Sequence, residues 1–394
     1  MKCATWFPAS LSWGCVLLAG GAALATPRVT TVRTPDSGYR PQVVLDGQGT
    51  LHIVYTRMEK EKRGELFYTK REAGHEEFSP PIKVNSTPRC AAGFNLTVGK
   101  GGRVHVIIRP NAIYSRDKLK RKPVFNDLKY MLYCRLNDEG TRFEDERDLS
   151  GETFGFEGVG ALIADGKGTI RAFWHGLSEP GRENTRQIFL ATSTDEGETF
   201  TSPKAIPMDV EGACACCSMQ GIMDAQGNLY LGFRNSEKSR TKDSYLLTSR
   251  DAGKRFTGTL LEPWANAGCP GSTYSLTSGA SGVYIAWDTL GEVSFSRGGA
   301  KPERIAAPTS RMKRRSPVVL ANSRGEVLFA WSEAASLGQL RTGGNLAWVI
   351  YDRDGKPLSK KGTLPGGLAQ WSSPAPYAQP NGDFVIFCDG PGAK

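Results

Sequence analysis

Short apolar runs recur along this chain, each preceded by a turn containing glycine. Arg40-Pro41-Gln42-Val43-Val44-Leu45 passes through Asp46-Gly47-Gln48-Gly49 into Leu51-His52-Ile53-Val54-Tyr55. The figure returns at Gly102 before Val104–Ile108, Gly168 before Ile170–Trp174 and Gly227 before Leu229–Phe233. It returns again at Gly282 before Val283–Trp287, Gly325 before Val327–Trp331 and Gly382 before Phe384–Phe387. Runs of this length, rich in β-branched and aromatic residues and bounded by Gly, Asn and Asp, predict strands joined by tight hairpins. Seven inner hairpins result. The seventh runs out of chain at Lys394, and Arg28–Val32 is the segment expected to supply its outer strand. Charged stretches at Arg57–Gly64, Pro110–Lys129 and Leu177–Thr185 separate second from third strands and are expected to be exposed loops.

A second kind of turn punctuates the outer strands. Ser193-Thr194-Asp195-Glu196-Gly197-Glu198-Thr199-Phe200 and Ser249-Arg250-Asp251-Ala252-Gly253-Lys254-Arg255-Phe256 both fit Ser-x-Asp-x-Gly-x-x-Phe. Asp138-Glu139-Gly140 with Phe143 is a looser copy, and Glu72-Ala73-Gly74 with Phe78 a worn one. Ser and Asp side chains fold back onto turn amides, Gly takes the positive φ, and the aromatic is expected to pack beneath the next strand. A turn recurring at a near-fixed period means a repeat fold. These octads resemble the Asp-boxes of the sialidase superfamily. The resemblance implies an all-β, sialidase-like β-propeller of six four-stranded blades, whereas the hairpin count gives seven, so six or seven blades are expected. The resemblance does not imply a reaction, because such boxes build turns.

Composition adds the setting. Lys2 and an apolar stretch ending in Ala23-Leu24-Ala25 read as a signal peptide over residues 1–25, leaving residues 26–394 as a single β-propeller domain. The protein is therefore expected to be exported, periplasmic or secreted. No later stretch is long and apolar enough for stable membrane insertion. The formal charge of +10 is spread along the chain, without the basic runs interleaved with aromatics that nucleic acid requires. An acidic carbohydrate or glycoconjugate is the expected partner.

In a four-stranded meander the octads sit on the face opposite the blade-to-blade connections, so function is expected at the other, axial mouth. Aligning the hairpins puts Thr56, Arg109, His175, Arg234, Asp288, Ser332 and Asp389 at the ends of second strands. Arg40, Cys90, Cys217, Cys269, Arg315 and Ser372 lead into first strands. Arg40, Arg109, Arg234, Arg315 and His175 are the substrate-binding candidates, since guanidinium matches a carboxylate in two-pronged fashion.

Cysteine usage exceeds what the repeat needs. Cys214-Ala215-Cys216-Cys217 precedes the fourth hairpin and Gly268-Cys269-Pro270 the fifth. With the leader removed, seven cysteines remain, an odd number for an oxidising compartment. Three readings stand: structural disulfides such as Cys216 or Cys217 to Cys269; a copper or zinc site on Cys214, Cys216, Cys217 and Cys269, with His175 as a further ligand; and a redox-active thiol pair. Cys134 falls within a third strand and Cys388 ends the last one. The stretch from Cys214 to Trp287 is similar to secreted bacterial sialidase-family proteins with a Cys-x-Cys-Cys motif.

A sialidase also needs three arginines, an acid/base Asp and a Tyr nucleophile activated by Glu, because a phenol is a poor nucleophile unaided. Tyr39-Arg40-Pro41 is similar to the Arg-Ile-Pro segment carrying the first arginine, and Tyr274 in Ser272-Thr273-Tyr274-Ser275 to the family's Tyr-Ser stretch, making Tyr274 the catalytic candidate. Where the family places its Asp this chain has Glu59 and Glu61; Glu211 and Glu333 are the glutamates considered for Tyr274. The preferred expectation is recognition of an acidic glycan, with hydrolysis by a glycoside hydrolase of exo-sialidase type as its enzymatic form and no cofactor. The alternative is a periplasmic metal-binding or thiol-redox protein.

Overall fold

A computed structural model describes residues 26–59, 63–86, 91–110, 130–238, 241–266, 268, 271–298, 304–370 and 372–392. The leader, Cys90, Cys269, Glu61 and the segment 111–129 lie outside them, as does the side chain of Glu59. Strands dominate, and they form seven sheets in chain order. Six have four strands each, spanning 39–83, 91–148, 161–205, 220–262, 274–306 and 313–369, and are numbered here as blades 1 to 6. Blade 3, for example, is the antiparallel meander Ala161–Ala164, Ile170–Gly176, Gln187–Ser193 and Lys204–Ala205.

Blade 7 joins the two ends of the chain. Ala375–Ala378 pairs with Phe384–Cys388, and Val29–Arg33 adds alongside, from Val29 opposite Phe384 to Arg33 opposite Cys388. The expected closure by the N-terminal segment is therefore present, with one difference: among the described residues the blade has three strands, and the closing strand runs parallel to its neighbour. Parallel pairing delivers the chain to the face where Asp389 ends blade 7 and blade 1 begins; an antiparallel third strand would end on the opposite face. Arg28 anchors the closure, its backbone N–H donating to Asp383 Oδ1 at 2.8 Å and its guanidinium lying 3.1 Å from Asp383 Oδ2.

Seven apolar clusters hold the ring, one at each junction between adjacent blades. Val54, Tyr68, Leu96 and Val106 join blades 1 and 2; Ile53, Tyr55, Val385 and Phe387 join blades 7 and 1. The number settles the blade count at seven, because each blade shares a core with two neighbours. Among the described residues the cluster between blades 4 and 5 is the smallest, with Leu246, Tyr274, Ile285 and Trp287 as its buried members. A buried polar network around Arg234 lies at the same junction.

The octads close as their residue types predict. Ser193 Oγ accepts from Gly197 N–H at 2.8 Å, Asp195 Oδ1 accepts from Thr199 N–H at 2.9 Å, and Gly197 has φ 78°. In the looser copy Asn137 does this work, its Oδ1 accepting from the N–H of Thr141 at 2.9 Å and of Arg142 at 3.1 Å. The octad aromatics also fasten neighbouring blades. Each crosses to the preceding blade: Phe78 onto Phe387, Phe143 onto Tyr68, Phe200 onto Tyr133 and Phe256 onto Phe173, all edge-on. The repeated turn is thus also a repeated fastening between blades.

The stretch Arg57–Gly64 is less loop than expected, since Arg57, Met58 and Glu59 pair with Glu65, Gly64 and Arg63. Leu177 is buried and bridges to Phe154. No helix of the described residues is long and apolar enough to cross a membrane.

Candidate functional site

The first strands of all seven blades surround an axial cavity of about 440 Å³. Pro41, Gln42, Asn95, Gln220, Tyr274 and Pro317 are among its walls. Side-chain amides stitch these otherwise unpaired inner strands together. Gln42 Nε2 donates to the Phe94 carbonyl at 2.6 Å, and Asn95 Nδ2 to Gln220 Oε1 at 2.9 Å. Bonds of this kind satisfy edges that a blade alone would leave open.

Two strained residues stand at the rim. Arg40 and Ser316 hold φ of 53° and 51°, each immediately before a proline lining the cavity, and each at a register shift in its strand pair. A residue before proline avoids even the ordinary helical region, and a non-glycine residue with positive φ costs on the order of 1–3 kcal/mol. Arg40 is tied to the end of blade 7. Its backbone N–H donates to Asp389 Oδ2 at 2.6 Å, and Asp389 also accepts from Ser372 Oγ at 2.5 Å. The guanidinium lies near the Tyr39 ring, with its Nε buried and without a hydrogen-bond partner. Burial lowers the Arg40 pKa, against the opposing pull of Tyr39 and Asp389.

The other candidates face elsewhere. Thr56, His175, Arg234, Asp288 and Ser332 are all buried. Second strands stand behind the axial ones, so both of their faces pack against neighbouring blades, and a polar residue at the strand end enters a blade junction. Arg234, 1% exposed, makes four hydrogen bonds within the wall. Its Nε and Nη2 donate to Ser272 Oγ at 3.1 and 2.7 Å, Nη2 also to Thr289 Oγ1 at 2.9 Å, and Nη1 to the Lys242 carbonyl. Burial works against its charge, yet Tyr274, Cys217, Glu262 and Asp288 outweigh burial and raise its pKa. Arg315 Nη2 donates to the Gly271 carbonyl at 2.6 Å, and its Nε lies 3.7 Å from Asp288 Oδ2. Burial raises the Asp288 pKa, against the Thr273 N–H and Arg315. Arg109 is half-buried, its pKa lowered by burial despite Glu157.

Tyr274 lines the axial cavity and shares a hydrogen bond of 2.9 Å with Ser244 Oγ. Burial pushes its pKa well above the usual phenol range. Among the described residues no carboxylate is hydrogen-bonded to it: Glu333 engages Trp331 Nε1 and Lys361, and Glu211 lies by Asn184 and the Lys238 N–H.

The cysteine motif forms a loop clasped between blades 3 and 4. Cys214 N–H donates to the Arg234 carbonyl at 2.9 Å, and the Ala215 carbonyl accepts from Gly158 N–H at 2.9 Å. His175 Nε2 lies 2.5 Å from the same carbonyl. A carbonyl only accepts, so Nε2 carries the proton; burial lowers the imidazole pKa to about 4 and keeps it neutral. The Cys214 sulfur lies 3.6 Å from that of Cys216 and 3.8 Å from that of Cys217. A disulfide requires about 2.05 Å, so these three are not bonded to one another. No disulfide joins the described cysteines, and the bridge expected from Cys216 or Cys217 to Cys269 reaches outside the described residues. Cys134 and Cys388 are buried in blades 2 and 7, away from the motif.

Sequence reasoning missed the groups around this loop. Lys242 is 2% exposed, pairs with Glu183, and holds its Nζ 3.8 Å from Cys214 Sγ. Arg186 is equally buried, and the negative charges of Glu183, Glu157, Cys214 and Cys216 oppose the lowering of its pKa by burial. The only signal in the sequence was basic residues in loops beside apolar strands.

The fold defines a sialidase-like β-propeller. The chain is similar to a protein of unknown function from Dyadobacter fermentans DSM 18053, with TM-score 0.54 and 14% identity over 79% of this chain and 95% of that one. It is similar to Trypanosoma rangeli sialidase in complex with the inhibitor DANA, with TM-score 0.50 and 11% identity over 78% of this chain and 56% of the enzyme. The same enzyme in complex with sialic acid matches with TM-score 0.50 and 12% identity, over 77% of this chain. The chain thus matches little more than half of that sialidase's length, and likeness at these identities is one of fold. No protein-family model matches the chain, and no curated protein matches it in sequence.

Proposed function

We propose that the axial mouth recognises an acidic carbohydrate, with Arg40 receiving its carboxylate. The observation that carries this reading is Arg40, which directly precedes the cavity-lining Pro41 in a strained backbone conformation and has a buried Nε without a hydrogen-bond partner. A buried donor without an acceptor costs about 1–3 kcal/mol, and a turn of the side chain toward a ligand carboxylate would supply the acceptor. The cavity walls mix side-chain amides with proline and aliphatic surface, a pattern suited to the hydroxyl edges and apolar faces of a sugar. Trypanosoma rangeli sialidase, of the same fold, has been described bound to sialic acid, which supports the ligand class.

The reading is binding rather than hydrolysis. Tyr274 has a raised pKa and Ser244 at its hydroxyl, the opposite of an activated nucleophile. Arg234 is engaged by the wall and serves the blade 4–5 junction. Export to the periplasm or beyond, where such glycans are met, is part of the same proposal.

The test is a binding screen of acidic saccharides and their carboxyl-reduced counterparts against the mature protein and Arg40→Ala. The proposal expects acidic ligands to bind, their reduced forms to bind at least tenfold more weakly, and Arg40→Ala to abolish the difference. Equal binding of both forms, or a preference unchanged in Arg40→Ala, overturns it.

A further inference from the structure

The Cys214–Cys217 loop has a geometry that packing alone does not require. A core cysteine such as Cys134 packs within an apolar cluster. Here one turn of chain brings three sulfurs together, every pair within 4.8 Å. An ion with metal–sulfur bonds of about 2.3 Å separates its sulfurs by about 3.8 Å in tetrahedral and about 4.0 Å in trigonal coordination. The separations from Cys214 are 3.8 Å to Cys217, at the tetrahedral spacing, and 3.6 Å to Cys216, slightly inside it.

We infer that Cys214, Cys216 and Cys217 form a binding site for a thiophilic d10 ion, copper(I) or zinc(II), distinct from the axial cavity. Three features suit the loop to this task. It is held from behind before any ion arrives: the Ala215 carbonyl takes hydrogen bonds from His175 Nε2 and Gly158 N–H, and the Cys214 N–H is tied to blade 4. Fixed ligands of this kind bind more tightly than ligands that must first be ordered. Next, a cationic group faces the sulfurs. The ammonium of Lys242 supplies this charge, its Nζ lying 3.8 Å from Cys214 Sγ. Positive charge favours the thiolate, which is the form that binds metal. Finally, access is one-sided: Cys214 and Cys217 are buried while Cys216 is exposed. An incoming ion meets Cys216 first and passes inward by exchanging ligands, and it leaves by the same route.

The donor set narrows the ion. All three ligands of the group are sulfur, with no carboxylate or imidazole among them. His175 Nε2 is engaged by Ala215, so its role is to position the loop. Thiolates select copper(I) and zinc over magnesium, calcium or manganese.

The test uses reduced, chelator-free mature protein. It is titrated with copper(I) against a chromophoric copper(I) chelator and, in a separate arm, with zinc(II) against a chromophoric zinc chelator. Elemental analysis counts the bound ion. One ion per chain is expected, and the arm with the tighter constant names it. Cys216→Ser and Cys217→Ser are each expected to weaken binding more than about 100-fold. A second measurement needs no variant: the ion is expected to slow iodoacetamide labelling of Cys216 on the wild-type chain at least tenfold, read by peptide mass spectrometry. Less than a stoichiometric ion in both arms, affinity unchanged in Cys216→Ser, or labelling indifferent to the ion overturns the site.

Discussion

His175 Nε2 donates to the carbonyl oxygen of Ala215 across 2.5 Å, so the last residues of one blade's second strand hold the middle of the loop that opens the next blade. His175→Ala removes the donor from a buried acceptor, which Gly158 alone then satisfies. The expected loss is about 1–2 kcal/mol of stability in denaturant unfolding, with faster labelling of the loop cysteines. His175→Gln, which can present an amide N–H near the same point, is expected to recover most of both.

Gly158 tests the same clasp from its other side. A Cβ there would lie 2.5 Å from the Cys217 carbonyl oxygen and 2.8 Å from His175 Cε1. Backbone cannot yield as a flexible side chain does, so Gly158→Ala is expected to displace the loop. Labelling of Cys217 should accelerate several-fold, while binding at the axial cavity stays within twofold of wild type. Unchanged labelling would show that the loop has slack the structure does not suggest.

Arg234 is expected to be a stability residue. Arg234→Ala leaves Ser272, Thr289 and the Lys242 carbonyl without their donor in a junction that has the smallest apolar cluster among the described residues. Breaking a buried charged network costs about 3–5 kcal/mol. Equilibrium unfolding should show that loss, with acidic-ligand affinity per folded molecule unchanged.

Acid should destabilise the protein in a defined window. Three of its four histidines, His52, His105 and His175, are buried, and burial lowers each pKa from 6.5, for His175 to about 4. The unfolded chain takes up these protons first, so stability present above pH 6.5 is lost as the pH falls toward 4. The lowered pKa values of Asp46 and Glu196, which bond His52 and His105, act in the same direction. For His175 alone the difference amounts to about 3–4 kcal/mol at full protonation. Thermal midpoints measured from pH 7.5 to 4.5 on metal-free protein should fall, and fall less steeply in His175→Gln.

The ring was legible because its signals are local. A glycine at a hairpin, an alternating run behind it and a Ser-x-Asp turn each declare themselves within eight residues, and even the closing strand Val29–Arg33 could be inferred from a hairpin lacking a partner. The direction of that strand could not, since it depends on the face to which the chain must return. Strand-end residues misled for a related reason. Trp331 and Ser332 alternate as any strand does, but in a propeller both sides of a second strand are interior, so alternation gives no inside and outside. The thiols were visible because they fall within four residues of chain. Their surroundings were not, because Lys242, Glu183 and Arg186 come from two further loops that only the blade packing brings together.

Two proposed sites carry two chemistries, and a double dissociation tests their separation. Affinities for one acidic saccharide and for copper(I) or zinc(II) would be measured on wild type, Arg40→Ala and Cys216→Ser. The account predicts that Arg40→Ala loses the saccharide and keeps the ion, whereas Cys216→Ser loses the ion and keeps the saccharide. A single substitution that removes both ligands from a folded chain would contradict it, by making the mouth and the thiol loop one site.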